Sequence, residues 1–432
     1  MPFKMNKMTA RASLQPARPD SVTLPRSPTD GRKPARRIGL FGLFGIGNYG
    51  NDGSLEAMLR FLRSQAPTTE IVCICGDPDK IARRYSVESI AMNFRPKHRL
   101  LRWLNTLCLN IPGEIVSLTQ ALRHLREIDV LLIPGTGILD DYLTGPFGMP
   151  YWLFRWTVLA RLFGTKVGFV SIGAGPIKHP LSRWLMKMAA KQADYVSYRD
   201  EISYNFMQSI GCDVSQHTIF PDIAFALPAP ATFRPPRASG SVLTVGIGVM
   251  TYNGWRGDKA NNSAIYEDYL AKMARFINWL ITKGYRVRLL MGDTSDQATI
   301  EQLLEALYGA QPETSTAPII AELAYSLHDV MRQMVDTDIV VATRFHNIVC
   351  SLKLGRPTLS IGYATKNDAL LQSMGLIGFC QAIETLDFDL LTQQFEKLVA
   401  NRKAYGDGLT VQNKRFREEL QNQEMVLLNR YL

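Results

Sequence analysis

The sequence lacks any long hydrophobic run. No stretch of about 18 or more uncharged apolar residues occurs, so no transmembrane helix is predicted. The first residues also lack the apolar core of about 7–15 residues that marks a secretory signal. The six cysteines are scattered and show no zinc-binding spacing. We therefore expect a cytoplasmic protein with reduced cysteines and no bound metal.

The sequence has little net positive charge outside the N-terminus. Residues 1–37 hold nine Lys or Arg against Asp20 and Asp30, whereas the other 395 residues contribute only +3 to the net charge of +10. The same 37 residues contain six prolines and no periodic pattern, which predicts a disordered basic tail. It is either a solvated extension or a tether to anionic lipid or polymer. No nucleic-acid partner is expected, because the tail's charges lack interleaved aromatic residues.

Strand patterns alternate with helical patterns along the rest of the chain. Short apolar runs predict strands at residues 38–44, 70–75, 130–133, 166–172, 195–198, 243–250, 286–291, 339–342 and 358–363. Helical periodicity falls between these runs, for example at residues 181–193, 265–283, 297–308, 327–335, 346–354 and 409–432. The alternation predicts an α/β fold built on parallel sheets.

Prolines divide this pattern into two halves. Four of them, at positions 228, 230, 235 and 236, mark a linker at residues 229–241. We therefore predict two Rossmann-like domains that face each other across a cleft. The N-terminal domain covers residues 38–228, and the C-terminal domain, with terminal helices, covers residues 242–432.

A glycine-rich turn follows the first predicted strand. Residues 45–53 read Gly-Ile-Gly-Asn-Tyr-Gly-Asn-Asp-Gly, and Ser54 is predicted to cap the helix after them. Backbone N–H groups of such a turn can approach an anion, although a plain tight turn has the same composition. Asp200 is predicted to cap a later helix in the same way.

Residues 95–126 combine apolar and basic side chains. Leu100, Trp103 and Leu104 alternate with Arg99 and Arg102. This segment is interpreted either as a patch for a membrane surface or lipid-linked substrate, or as a helix pair that covers the sheet.

The most informative stretch is residues 338–366. Arg344 and His346 follow a buried strand, and Lys366 stands just beyond the next one. Ligands of open α/β sheets collect outside the carboxyl ends of the strands, so these three side chains should face one crevice. Two cations and a titratable imidazole suit an anionic substrate that needs a proton moved.

Several motifs occur in a fixed order. They are Gly47-Asn48-Tyr49-Gly50, Gly135-Thr136-Gly137 with Asp140, Gly173-Ala174-Gly175-Pro176, Ser197-Tyr198-Arg199-Asp200-Glu201 with Ser203, Pro221-Asp222, Arg344-x-His346 and Tyr363-x-x-Lys366. In this order they resemble the polysaccharide pyruvyl transferase family, from about residue 38 to residue 376. Two departures are Thr136 in the middle of a usual Gly-Gly-Gly, and Asn51 inserted where the family has Asn-x-Gly-Asp-Glu.

The resemblance implies a fold similar to the glycosyltransferase B class and transfer of pyruvate from phosphoenolpyruvate to a sugar as a cyclic ketal. The donor carries a carboxylate and a phosphate, which arginine forks bind bidentately. The expected roles are donor binding by Arg199, Arg344 and Lys366, acid–base catalysis near neutral pH by His346, and orientation of acceptor hydroxyls by Asn48, Asp52, Asp140 and Asp222. No cofactor is expected beyond the donor substrate. The expected acceptor is a sugar or lipid-linked oligosaccharide, which allows peripheral contact with the inner membrane surface.

Two other functions remain open at this point. The first is a glycosyltransferase of the same fold that uses a nucleotide sugar, which needs a carboxylate near the second crevice for the ribose hydroxyls. The second is a non-catalytic carbohydrate-binding partner in polysaccharide assembly.

Overall fold

A computed structural model describes residues 36–94, 96, 98–141, 144–231, 241–252, 254, 259–309, 319–362 and 365–432. The predicted tail up to residue 35, most of the predicted linker, and Tyr363 lie outside these residues. Residues 36–432 belong to one unit that contains two sheets. No helix in the described ranges is both long enough and apolar enough to cross a membrane.

The first lobe is built on a seven-stranded parallel sheet in the order β3-β2-β1-β4-β5-β6-β7. Its strands are β1 Arg37–Phe41, β2 Glu70–Cys75, β3 Glu88–Ala91, β4 Val130–Pro134, β5 Lys166–Ile172, β6 Tyr195–Tyr198 and β7 Thr218–Ile219. Its helices are α1 Tyr49–Gln65, α2 Pro78–Tyr85, α3 Arg99–Leu107, α4 Ile111–Leu125, α5 Met149–Leu162, α6 Pro180–Lys191 and α7 Glu201–Ser209, and a 3-10 helix spans Ile223–Ala226.

The second lobe is built on a six-stranded parallel sheet in the order β10-β9-β8-β11-β12-β13. Its strands are β8 Thr244–Gly248, β9 Arg286–Leu290, β10 Ile319–Ala321, β11 Ile339–Ala342, β12 Thr358–Gly362 and β13 Cys380–Ala382. Its helices are α8 Lys259–Thr282, α9 Asp296–Tyr308, α10 Leu327–Val335, α11 Phe345–Lys353, α12 Lys366–Ser373, α13 Phe388–Ala400 and α14 Arg402–Tyr431, and a 3-10 helix spans Ile383–Thr385.

The central strands are buried because helices cover both faces of each sheet. In β4, Val130 and Leu132 pack into one apolar cluster, whereas Leu131 and Ile133 pack into the cluster on the opposite face. Strands buried on both faces are the ones that read as continuous apolar runs. The predicted α/β class with two Rossmann-like domains is therefore confirmed. The residue boundaries assigned to those domains stay predictions.

The last helix, α14, connects the two sheets. In its first half the Asn413 side chain donates to the Leu352 carbonyl in the second lobe. In its second half Gln423 donates to the buried hydroxyls of Ser171 and Ser197 on β5 and β6. These hydrogen bonds, one partly buried and two buried, fasten the helix to both lobes.

The turn at residues 45–53 forms a second connection between the lobes. Asn48 makes an antiparallel bridge with Asp293, and the Tyr49 N–H donates to the Gly292 carbonyl at 3.2 Å. The Tyr49 hydroxyl donates to the Ala324 carbonyl at 2.6 Å. The turn's backbone therefore contacts the second lobe.

The predicted cap of the first helix is wrong. Asn48 rather than Ser54 caps α1, because the Asn48 side chain accepts the N–H groups of Gly50 and Asn51. The helix therefore starts within the glycine-rich stretch, before Gly53. The predicted cap at Asp200 is confirmed, since its side chain accepts the Ser203 N–H at the start of α7.

Candidate functional site

The two lobes bring strand ends together around one buried carboxylate. Arg199 directly follows β6 and donates to Asp222 over 3.3 Å between Nη1 and Oδ2. His346, in the first turn of α11, places Nε2 at 3.7 Å from the same Asp222 oxygen. The Arg199 guanidinium also lies 4.0 Å from the ring centre of Phe345, a cation–π distance. A cation from the first lobe and an imidazole from the second therefore share one carboxylate.

Local backbone features fix the two first-lobe members of this cluster. Asp222 caps the 3-10 helix after β7, where its Oδ1 accepts the Ala224 N–H at 2.9 Å. Gly173, after β5, leaves the space that the guanidinium occupies, because a Cβ there would lie 2.6 Å from Arg199 Nη2. The Gly-x-Gly-Pro motif thus serves the placement of Arg199.

His346 is neutral at pH 7 in the unliganded protein. Burial disfavours the imidazolium, and although Asp222 opposes this, the charges of Arg199 and Lys366 add to it, so the pKa falls from 6.5 to about 4. The side chain is only 12% exposed, and its Nε2 has no hydrogen-bond partner among the described residues. This pKa of about 4 is below the near-neutral value that the sequence predicted for His346, and its acid–base role stays a prediction.

The other side of the imidazole faces the first turn of α1. A Cβ on Gly50 would lie 1.9 Å from His346 Nδ1, and one on Gly53 would lie 2.4 Å from a methyl carbon of Leu327. Such separations are far below any real contact, so only glycine fits. The glycines of this motif let the second lobe approach α1.

Two residues that were predicted to orient the acceptor sugar, Asn48 and Asp52, stabilise the turn at residues 45–53. Asn48 caps α1, as described above, and the buried Asp52 accepts the Gly45 N–H at 2.8 Å. Arg84 lies 3.6 Å from Asp52, and burial raises the pKa of that carboxyl. These contacts account for both residues without a ligand, so their role toward an acceptor stays a prediction.

Asp140, the third predicted acceptor residue, lies across the second glycine-rich turn from Arg199. A Cβ on Gly137 would be 3.7 Å from Arg199 Nη2 and equally far from Asp140 Oδ2. The neighbouring Asp141 is buried and accepts the N–H groups of Lys178 and His179. Of these two neighbouring aspartates, the half-buried Asp140 is therefore the one that lies on the side of Arg199.

Arg344 does not direct its fork at Asp222. Its Nε lies 3.1 Å from both oxygens of Asp296, and Nη2 lies 2.5 Å from Oδ1 of that residue and 3.2 Å from the Ser295 hydroxyl. Asp296 is fully buried at the start of α9, and burial raises its pKa while Arg344 lowers it. The Arg344 guanidinium, which was predicted to bind the donor, is thus paired with Asp296, a carboxylate of the same lobe.

Lys366 is the first residue of α12, at the carboxyl end of the sheet as predicted. Its charge is one of the influences that lower the pKa of His346. The positive charge of Lys366 therefore acts on the His346 imidazole.

A cleft of about 730 Å³ opens beside this cluster. Its wall comes from both lobes and from α14, and it combines carboxylates, amide and hydroxyl groups with aromatic rings. The residues that line it include Arg199, Asp200, Glu201, Phe220, Asp222, Phe345, Thr365, Asp368, Gln372, Ser373, Arg415, Phe416 and Glu419.

Sequence reasoning missed several polar residues near the cluster. The hydroxyls of Ser54 and Thr136 and both amide atoms of Asn347 are buried without hydrogen-bond partners among the described residues. A Cβ on Gly135 would lie 2.5 Å from the Ser54 hydroxyl, which places Ser54 against the Gly-Thr-Gly turn. Asn347 had a usable signal, because it is an amide directly after His346 at the start of a helix that continues with the apolar residues Ile348 and Val349.

The described residues contain no group of three or more His, Cys, Asp or Glu side chains that could hold a metal ion. The absence of a metal and of a cofactor stays a prediction.

Solved structures with a similar fold cover nearly the whole chain. The S. aureus MnaA–UDP co-structure has a TM-score of 0.57 at 10% identity, covering 87% of this chain and 90% of that one. The Neisseria meningitidis UDP-GlcNAc 2-epimerase bound to UDP-GlcNAc has a TM-score of 0.53 at 11% identity, covering 90% and 100%. A glycosyltransferase from Rickettsia africae has a TM-score of 0.54 at 10% identity, covering 91% and 99%. At such identities the likeness establishes the fold alone, which is that of the glycosyltransferase B class.

The sequence itself points to one family. No curated protein matches it significantly. The family model described as polysaccharide pyruvyl transferase matches residues 48–365, a span that contains the Asn48 cap, Arg199, Asp222 and His346. Because this match covers most of the chain, the protein belongs to the polysaccharide pyruvyl transferase family.

Proposed function

We propose that the protein transfers a pyruvyl group from phosphoenolpyruvate to two hydroxyls of a sugar in a cell-surface polysaccharide precursor. The observation that carries this proposal is the convergence of Arg199 and His346, from opposite lobes, on buried Asp222. Family membership supports polysaccharide modification, and the chemistry of these three side chains supports this donor.

Binding of the donor would supply the hydrogen-bond partner that one side of the Arg199–Asp222–His346 cluster lacks. The Arg199 fork suits a carboxylate or phosphate, and Lys366 adds a point charge. A donor oxygen next to His346 Nε2 would give that atom its missing partner. The donor's negative charge also offsets the cations that depress the imidazole, so the pKa of His346 rises on binding. His346 then takes up a proton together with the donor.

The proposed reaction conserves atoms and charge. His346 gives its proton to C3 of the enol, which becomes a methyl group and leaves C2 electrophilic. The first sugar hydroxyl attacks C2 and returns its proton to His346. The C2–O bond to phosphate then breaks with its electron pair staying on the phosphate, and the second hydroxyl closes the ketal ring and gives its proton to the departing phosphate. One group that serves as acid and then as base contributes about 10² to 10⁴ in rate.

The 730 Å³ cleft is the proposed acceptor site. It adjoins Asp222 and Arg199 and offers carboxylates for hydroxyl groups together with aromatic faces such as Phe345 and Phe416. Pockets of this kind fix a ligand's orientation through a few polar groups on a largely apolar wall. A sugar bound there would present its hydroxyls to the donor. The proposal includes a lipid-linked oligosaccharide as an acceptor, and with it peripheral contact with the cytoplasmic face of the membrane.

Phosphate release tests the proposal directly. The protein is incubated with phosphoenolpyruvate and a panel of free and lipid-linked sugars, and phosphate and the acceptor's mass are followed. We expect phosphate release that depends on an acceptor and an acceptor that gains a pyruvate ketal. His346→Gln, which can hydrogen-bond but cannot titrate, should lower the rate by at least about a hundredfold. Acceptor-independent release, or an unmodified acceptor, would reject the proposal.

A nucleotide-sugar transferase is the second candidate, because similar folds were solved with UDP and with UDP-GlcNAc. The same panel distinguishes it when phosphoenolpyruvate is replaced by nucleotide sugars and nucleotide release is followed. A non-catalytic carbohydrate-binding partner would release neither product.

A further inference from the structure

Helix α3 exposes its apolar face. None of its nine residues is buried. Leu100, Trp103, Leu104 and Leu107 recur at the i, i+3, i+4, i+7 spacing of a single helix face, and Trp103 and Leu107 are 60% and 65% exposed. A helix that covered the sheet would bury this face, so the predicted helix pair over the sheet is wrong for α3.

Helix α4 continues the exposed apolar surface. Its inward stripe is made of small residues and one leucine, namely Gly113, Ser117, Ala121 and Leu125. Its larger side chains Ile111, Ile115 and Leu118 are exposed instead. The Asn105 side chain of α3 accepts the Gly113 N–H at 2.7 Å, which ties the two helices together. Seven large apolar side chains are thus exposed on these two linked helices, and together they are called here the α3–α4 face: Leu100, Trp103, Leu104, Leu107, Ile111, Ile115 and Leu118.

The charge on these helices is mostly positive. Residues 98–126 contain Arg99, Arg102, Arg123 and Arg126 against the single acid Glu114. The Glu114 carboxylate is paired with Arg155 of the first lobe. By helix geometry, Arg99 lies beside the apolar face of α3, next to Trp103, and Arg102 lies on the opposite, polar face. A helix with an exposed apolar face and arginines at its edge and on its polar face complements an apolar layer beneath anionic headgroups.

We propose that the α3–α4 face is a docking surface for an anionic lipid bilayer. In this arrangement α3 lies in the plane of the interface, with Trp103 and the leucines at the acyl boundary and Arg99 and Arg102 at the headgroups. Because α3 links the end of β3 to the start of α4, it lies at the carboxyl edge of the first sheet, the edge where Arg199 lies. The bound membrane would therefore lie toward the same end of the first sheet as Arg199. The docking surface is independent of which donor the site uses.

The test uses the full chain and vesicles of phosphatidylcholine, with or without phosphatidylglycerol. The patch variant carries Leu100→Gln, Trp103→Gln and Leu107→Gln. A matched control variant carries Ile377→Gln, Val411→Gln and Met425→Gln in the second lobe, where exposures of 72%, 66% and 60% correspond to 66%, 60% and 65% in the patch. Both variants keep the basic N-terminus, so a difference between them reports the α3–α4 face. All six positions are exposed, and both variants should melt like wild type.

We expect wild type and control to sediment with anionic vesicles and the patch variant to lose at least about tenfold in partitioning. Arg99→Gln with Arg102→Gln should reduce the preference for anionic over neutral vesicles by about fivefold for each arginine. Equal binding by the patch variant would overturn the proposal, as would failure of wild type to bind. A wild-type dimer that the patch variant converts to a monomer, without vesicle binding, would instead assign the face to a second copy of the chain.

Discussion

At the scale of single residues, the unusual feature of the site is an imidazole kept neutral beside a carboxylate. The pKa of His346 falls to about 4, whereas an unfolded histidine titrates near 6.5. Between these values the unfolded chain binds a proton that the folded chain does not. Stability is therefore highest above about pH 6.5 and is lost as the pH falls toward about 4, by about 3 kcal/mol.

This linkage gives a prediction for His346→Gln. The free energy of unfolding of wild type should fall by about 3 kcal/mol more than that of the variant between about pH 7 and pH 4, since glutamine does not titrate. Urea unfolding at several pH values measures the difference. Parallel pH profiles for the two proteins would show that His346 is not held neutral by the fold.

We predict that the main effect of removing the Arg344 side chain is a lower stability of the protein. Removing its side chain leaves the buried Asp296 without the fork that neutralises it, which typically costs about 3–5 kcal/mol. We expect Arg344→Ala to lose stability of this order in urea unfolding. The double variant Arg344→Ala with Asp296→Asn should recover part of the loss, because the unpaired charge is gone. An Arg344→Ala protein with wild-type stability and a donor affinity reduced about tenfold to a hundredfold would instead return Arg344 to the donor site.

At the scale of elements, burial decides which strands can be predicted from the sequence. The central strands, such as β4 and β11, have every residue buried and were predicted to within a residue or two. The four strands that were missed, β3, β7, β10 and β13, form the edges of the two sheets. They are two to four residues long and partly exposed. β3, β7 and β13 contain polar residues, and the apolar run of β10 is only three residues long, so none shows the long apolar run of a central strand.

The first turn of α1 gives a sharp test of how the lobes fit together. Gly50→Ala would place a Cβ 1.9 Å from His346 Nδ1, so the imidazole or α11 must shift. We expect lower stability and a turnover reduced about as much as in His346→Gln. Gly408→Ala is the matched control, because this helical glycine has nothing within 4 Å of the added Cβ. It should be neutral or stabilise by up to about 1 kcal/mol. Wild-type turnover in Gly50→Ala would show that the lobes do not close on α1 in solution.

At the scale of the whole molecule, the fold starts slightly earlier than the sequence indicated. Arg37, assigned to the basic tail, is the first residue of β1 and pairs with Glu88 and Glu127 at 2.7 Å each. Arg36 donates to the Tyr431 carbonyl at the end of α14. The sequence around Arg36 and Arg37 is polar and therefore did not predict a strand. The strand starts here because both arginines bind partners that lie far along the chain.

Truncation tests this boundary. Deletion of residues 1–35 should leave the unfolding free energy and the turnover unchanged, whereas deletion of residues 1–37 should lower stability because the Arg36 and Arg37 contacts are lost. Thermal and urea unfolding of both truncated proteins measure the difference. Equal stability of the two would show that neither arginine contributes to the fold, and unfolding of the shorter deletion would show that the tail is structural.

The sequence predicted which site residues lie at the ends of strands, but it did not predict which side chains pair with one another. Arg199, His346 and Lys366 could be placed at strand ends because parallel strands share one carboxyl edge. The pairing of Arg344 with Asp296 could not be foreseen, since it joins residues from two different strand–helix connections. The neutral state of His346 was also hidden, because it depends on burial that arises only when both lobes close around it.

The central claim is that phosphoenolpyruvate binds between Arg199 and His346 and charges the imidazole. Titration calorimetry at about pH 7, in two buffers with different ionisation enthalpies, measures both donor affinity and the protons taken up. We predict that phosphoenolpyruvate binds wild type with uptake of about one proton beyond that of His346→Gln, and that Arg199→Ala weakens binding by at least about tenfold. Binding of nucleotide sugars without binding of phosphoenolpyruvate, or donor binding with the same proton uptake in both proteins, would contradict the account.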